Sequence, residues 1–192
     1  MTLRQTPSQT IGPFFAYGLT PCQYNYPMSD IAGGAMATEE TQGARIRIEG
    51  RVLDGAGAPI EDAMIELWQA DSQGRYPTPA TNQAFTGFGR VGTGTDPQKR
   101  FIFDTIKPGR TDPSQAPHIG VILFMRGLLV HLYTRIYFDD EATANATDPA
   151  LSAVPPERRH TLIAVRADTQ SGAVYRFDIR MQGEDETVFF DA

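Results

Sequence analysis

At 192 residues, with 41% apolar and 21% charged residues, the chain suits one globular domain with a sizeable core. Its formal net charge of -6 argues against a general binder of nucleic acid or of anionic membrane. A single cysteine, Cys22, rules out an internal disulfide, the start MTLRQTPSQT lacks a signal-peptide core, and no apolar run approaches the ~18 residues of a spanning helix, so a soluble cytoplasmic protein is expected.

Residues 1–44 are rich in Pro, Gly, Gln and Thr and show no sustained period. GPFFAYGL (12–19) nevertheless gathers two Phe and a Tyr, so this irregular arm needs an apolar surface to lie on, its own domain's or a partner's. From residue 45 the pattern becomes strand-like. RIRIEGRVLD (45–54) alternates Ile46, Ile48, Gly50 and Val52 with polar residues, and GAGAP (55–59) is a turn. AMIELWQA (63–70) reads as a second strand and RFIFDTI (100–106) as another, ending at Lys107-Pro108-Gly109. HIGVILFM (118–125) and LLVHLYTRIYF (128–138) flank Arg126-Gly127, a tight hairpin candidate. DDEATANA (139–146) and PPERRHTLI (155–163) suit short helices, the second with prolines for its first turn. AVYRFDIRMQG (173–183) and the short TVFF (187–190) complete the strands. The prediction is a mainly β protein: an antiparallel β-sandwich with long loops, a few short helices and an irregular N-terminal arm.

Few residues are equipped for chemistry. There is no G-x-S-x-G, and Cys22 lies in the arm, so nucleophilic catalysis is poorly supported. GRVGTGTD (89–96) has neither the strand-to-helix setting nor the Lys-Ser/Thr of a phosphate loop. One cysteine and three scattered histidines are a poor zinc set. What remains is Tyr76, His118, His131 and His160. Taken singly, each has an ordinary reading as a packing tyrosine, a hydrogen-bonded histidine, a strand residue beside Leu129 and Tyr133, and a solvated helix residue.

A longer pattern changes this. Residues 48–76 read I-x-G-x-V-x4-G-x2-I-x4-I-E-L-x6-G-x-Y, and the likeness continues through FGRVGTGTD (88–96), FDTIKPG (103–109), APHI (116–119), RIYFDDEA (135–142) and YRFDIRMQGEDETVFFD (175–191). This resembles the intradiol ring-cleaving dioxygenases, β-sandwich enzymes that split catechols between the two hydroxyls with non-haem ferric iron. The resemblance implies iron held by two tyrosinates and two histidines, hard anionic oxygens and imidazoles that suit Fe(III). Carried over, the first tyrosine falls on Tyr76 and the first histidine on His118. The second tyrosine is lost where Arg110 and Thr111 follow Gly109, and the second histidine is lost at Gly120. A strand has a side-chain period of two, so His118 and Gly120 share a face where a His-x-His could chelate and a glycine cannot.

No iron is therefore expected on this chain alone. The departures resemble a division of labour within the family, in which an iron-free chain completes the site of a homologous beta subunit that binds the Fe(III). That implies a hetero-oligomer acting on protocatechuate (3,4-dihydroxybenzoate) and O2, with residues 1–44 as an arm docking on the partner subunit and 45–192 as the dioxygenase-like domain. The pocket residues implied are Thr10, Gly12, Pro13 and Arg126, the last as a local cation for the substrate carboxylate. Two other readings stand beside it: a self-sufficient dioxygenase using Asp139, Asp140 or His131 as replacement ligands, and a non-enzymatic β-sandwich that binds a small molecule.

Overall fold

The computed structural model describes residues 10, 12, 15–78 and 84–191. The regular elements in chain order are α1 (Phe15–Leu19), β1 (Arg45–Leu53), β2 (Met64–Gln69), β3 (Phe88–Gly92), β4 (Arg100–Ile106), β5 (Ile119–Phe124), β6 (Leu132–Phe138), α2 (Ala142–Asn145), α3 (Pro149–Ala153), β7 (Ile163–Thr169), β8 (Gly172–Arg176) and β9 (Ile179–Arg180). Alternation produces the strands. In β1, Ile46, Ile48, Gly50 and Val52 point inward between solvated neighbours, and in β5, Ile119, Val121 and Leu123 do the same.

The strands follow the order β3-β2-β5-β6-β7-β8-β1-β4, with β9 beside β1. The group β3-β2-β5-β6 is antiparallel throughout, and in β7-β8-β1-β4 the pairs β7–β8 and β1–β4 are antiparallel. Parallel pairs join β6 to β7 and β8 to β1, and β9 also runs parallel to β1. The two groups fold over one core, in which Ile65, Leu67, Val121 and Ile136 meet Ile48, Phe101, Phe103 and Tyr175. This is the sandwich expected from the sequence, with parallel joins that alternation does not reveal. The second short helix is present as a 3-10 segment, Pro156–Leu162, with proline in its first turn as expected.

Other details differ. The β5–β6 connection is no two-residue hairpin. The last ladder pair is Leu123↔Leu132, so the loop runs past Arg126-Gly127 with Leu129 and Val130 exposed. His131 is exposed and lies just before β6. TVFF contributes one bridge, Tyr133↔Phe190. Residues 173–183 form two strands, because Asp178 leaves the ladder and accepts from Arg51 N at 2.9 Å.

The arm packs on its own domain where it is described. The Phe15 ring meets Phe124 at 5.6 Å, and Ala16 and Thr20 are buried. The Gln23 side-chain amide pairs with both backbone groups of Gly92 on edge strand β3. Residues 33–36 then form a strap across the open ends of the sheet. Arg90 N of β3 donates to Gly33 O, Asp104 N of β4 donates to Gly34 O, and Met36 N donates to Asp104 O. Met36 enters the core.

Candidate functional site

The outer face of β3-β2-β5-β6 carries the positions singled out by sequence. Ladder pairing sets Phe88, Trp68, Gly120 and Arg135 in one row across four strands. Residues directly opposite in a ladder project to the same side, so glycine leaves a notch between the indole and the guanidinium. Tyr76 is positioned by the turn before it. Gly74 has φ +79°, and a Cβ there would stand 1.8 Å from Arg110 O, so only glycine lets the 71–75 turn pack on the 109–111 loop. Tyr76 is exposed and stacks on Trp68, with ring centroids 5.5 Å apart and planes 12° apart.

His118 is buried, and its Nδ1–H donates to Ala116 O at 2.9 Å. A carbonyl can only accept, so the neutral ring keeps its proton on Nδ1 and leaves the Nε2 lone pair free. Burial pushes the His118 pKa down and the nearby Arg135 adds to that, against the Ala116 carbonyl and Asp148. Asp148 is fully buried and accepts from Ala116 N, Leu151 N and the Tyr137 hydroxyl at 2.8, 2.8 and 3.0 Å. It caps α3 and pins the segment leading to His118. Burial alone would raise its carboxyl pKa, but the donated hydrogen bonds hold it below the usual value. Burial pushes the Tyr137 hydroxyl up to about 12.

These residues do not fit ferric iron. Of the four positions implied by resemblance, Tyr76 and His118 keep donors. Gly120 has none, Thr111 sits beside the exposed Arg110, and a second cation, Arg135, lies across the ladder from Gly120. A guanidinium beside a would-be trication is electrostatically unfavourable. The replacement ligands of a self-sufficient enzyme are committed elsewhere. Asp140 accepts from Lys107 Nζ, Tyr175 Oη and Arg166 Nη1 at 2.7, 2.8 and 3.1 Å, and Asp139 accepts from Arg166 N at 3.1 Å. His131 lies 2.8 Å from Tyr133 Oη, and His160 is exposed beside Asp185 at 3.1 Å.

A second cluster lies at the β5–β6 loop. Gly127 N donates to Thr10 Oγ1 at 3.1 Å, which brings Thr10 to Arg126 across most of the sequence. Gly12 is exposed, and a Cβ on it would meet nothing within 4 Å. Pro13 lies outside the described residues. The Arg126 Nε donates to Asp62, a partner that sequence reasoning missed, since nothing local marks a pair so far apart in the chain. The Arg126 side chain is 61% exposed.

A β-sandwich with one tyrosine and one histidine of a metal set on its outer sheet face is the architecture of a ring-cleaving dioxygenase, here without the means to hold the metal. The dioxygenase family model matches residues 28–183. The chain belongs to this family, the intradiol dioxygenases. It is 55% identical over 195 residues to the protocatechuate 3,4-dioxygenase alpha chain of Burkholderia cepacia, covering 99% of this chain and 98% of that one. It is 33% identical over 174 residues to the beta chain from the same organism, covering 82% of this chain and 73% of that one. Among solved structures, the dioxygenase domain of a carbohydrate-binding fusion protein from Streptomyces sp. SirexAA-E matches with TM-score 0.62 and 28% identity, covering 92% of this chain and 97% of that one.

Proposed function

We propose that the chain serves as the iron-free, alpha-type subunit of a protocatechuate 3,4-dioxygenase. It completes the active site of a homologous beta-type subunit, and the assembly inserts both atoms of O2 into protocatechuate to give 3-carboxy-cis,cis-muconate in aromatic catabolism. The observation that carries the reading is the combination of near full-length likeness to alpha chains with a ligand set halved by Gly120 and Thr111. Ferric iron belongs to the partner in this reading, and the arm before residue 45 docks there while also packing on its own domain. A cytoplasmic location belongs to the same reading and rests on the single cysteine.

The part played by this chain is recognition. Thr10 and Arg126 are held together through Gly127, and Arg126 is oriented by Asp62. Its remaining donors offer a fork to the carboxylate of protocatechuate. Gly12 needs no glycine for the sake of its own fold, which fits a segment approached closely by substrate or partner. No helix among the described residues is long and apolar enough to cross a membrane.

The test is expression with and without the presumed partner. The chain alone is expected to hold no ferric iron, to show no tyrosinate-to-iron charge-transfer band and to consume no oxygen with protocatechuate, while co-expression yields a coloured, active complex. Stoichiometric iron in the partner-free chain would overturn the reading. A further expected result concerns Arg126→Ala in the complex. A charge-assisted contact contributes roughly 1.5–3 kcal/mol. Asp62 already pairs with this exposed guanidinium, so the low end applies, and KM for protocatechuate should rise about ten-fold. The carboxylate takes no part in ring cleavage, so kcat should change little. Equal losses with protocatechuate and catechol would assign Arg126 to the fold of the loop.

A further inference from the structure

We infer that the notch over Gly120 is a binding site for a small carboxylate, with Arg135 as its counter-ion. The argument starts from an unpaired charge. Arg135 is partly buried, and its one hydrogen bond is a long contact of 3.4 Å from Nη1 to Tyr137 Oη. The guanidinium lies over the Phe190 ring at 5.9 Å. No described carboxylate forms an ion pair with it. Arg47, Arg51, Arg75, Arg90, Arg100, Arg126, Arg166 and Arg176 each have an Asp or Glu partner, and the partly buried Arg158 and Arg159, which have none, donate instead to backbone carbonyls. Partly buried cations are normally paired, because desolvation without a counter-charge is costly.

The surroundings give the missing partner a shape. Gly120 lies opposite both Trp68 and Arg135, so it forms the floor of a gap whose flanking strands stand about 10 Å apart. One wall is the Trp68–Tyr76 stack and the other is Arg135. A Cβ at Gly120 would touch only Trp68 O, at 3.3 Å, so the space is not filled by the chain's own packing. The Tyr76 hydroxyl carries no hydrogen bond within the described residues and can donate to a carboxylate, whereas His118, with its proton on Nδ1, adds no donor. The buried acid Asp148 is already engaged by three donors. A guanidinium with no carboxylate partner beside flat aromatic walls suits a planar anion of the aryl-carboxylate class. Where iron chemistry is lost, the cleft keeps a positive charge, now fixed on a side chain. The inference stands on the unpaired guanidinium and does not depend on the partner subunit.

Trp68 is the chain's one tryptophan, so its fluorescence reports on the notch directly. The experiment titrates the full chain with benzoate, exciting at the red edge of tryptophan absorption, and uses neutral benzamide as the control. Benzoate is expected to give a saturable change. Arg135→Gln should weaken it at least ten-fold, Arg135→Lys should weaken it less, and Arg51→Gln, on the other sheet, should leave it unchanged. Circular dichroism of each variant checks the fold. An equal response from Arg135→Gln and the parent chain would overturn the proposal, as would an equal response to benzamide and benzoate. No response to benzoate, with loss of partner assembly in Arg135→Gln, would assign the counter-ion to a partner's acidic side chain and equally overturn a free-ligand site.

Discussion

Asp148→Ala is expected to destabilise the chain by about 3–5 kcal/mol, enough to abolish folding in a marginally stable domain. The carboxylate is fully buried and accepts from Ala116 N, Leu151 N and Tyr137 Oη. Truncation strands three donors at once, and each buried unsatisfied group costs roughly 1–3 kcal/mol. It also uncaps α3 and releases the Ala116–His118 segment. Asp148→Asn keeps one acceptor oxygen and should lose less. The same group sets an acid limit. Its folded pKa is held below the usual carboxylate value, so its contribution is fully present above that usual value and is lost as pH falls through the depressed folded pKa. Urea unfolding at neutral and acid pH checks both statements. The difference between parent chain and Asp148→Asn should shrink as the pH falls below about 4.

Gly50→Ala is the other substitution with a large expected effect. A Cβ there would stand 1.8 Å from Phe177 O and 2.7 Å from Phe101 Cζ. One obstacle is backbone and the other a core ring, so neither can swing aside. Phe177 N also donates to Glu49 O at 2.9 Å, so the chain just after β8 is tied to β1 at this point. Separating them breaks the parallel join and opens the core. The expected cost is about 3 kcal/mol or more. For a chain of this length that lowers the midpoint of thermal unfolding by roughly 6–12 °C. A midpoint within a degree of the parent chain would show that the join relaxes freely.

The strands with clean alternation were legible, and so was the class of fold. Arg100–Ile106 is bounded in the structure as its pattern suggests. Phe88–Gly92 was not legible as a strand, because its two glycines erase the period. Ile163–Thr169 was also missed, since only Ala164 is fully buried along it. The Arg126-Gly127 turn misled because Gly127, at φ +90°, does bend the chain, but the ladder ends earlier, at Leu123. In the site, Tyr76 and His118 could be placed through the family resemblance, and strand spacing then set Gly120 on the face of His118. Arg135 could not, because its meaning comes from the residue across the ladder, and sequence carries no register between β5 and β6. Asp62 and Asp148 were invisible for a related reason: each acts on a group far along the chain or through backbone donors that every residue carries.

The strap at residues 33–36 orders events in time. It leaves the ribosome long before β4, whose Asp104 it must hold, and longer still before β8 fills the place beside β1. Until then β3 shows an open edge with only Gln23 against it, a template for pairing with other nascent chains. The seam closes only when the whole chain is out. In the proposed assembly the segment around Thr10 and Gly12 would meet the partner, and it lies upstream on the same peptide, so an arm engaged prematurely by a neighbour would hold the strap away from its seam. Association in that proposed assembly is thereby best served after synthesis ends, from two finished chains.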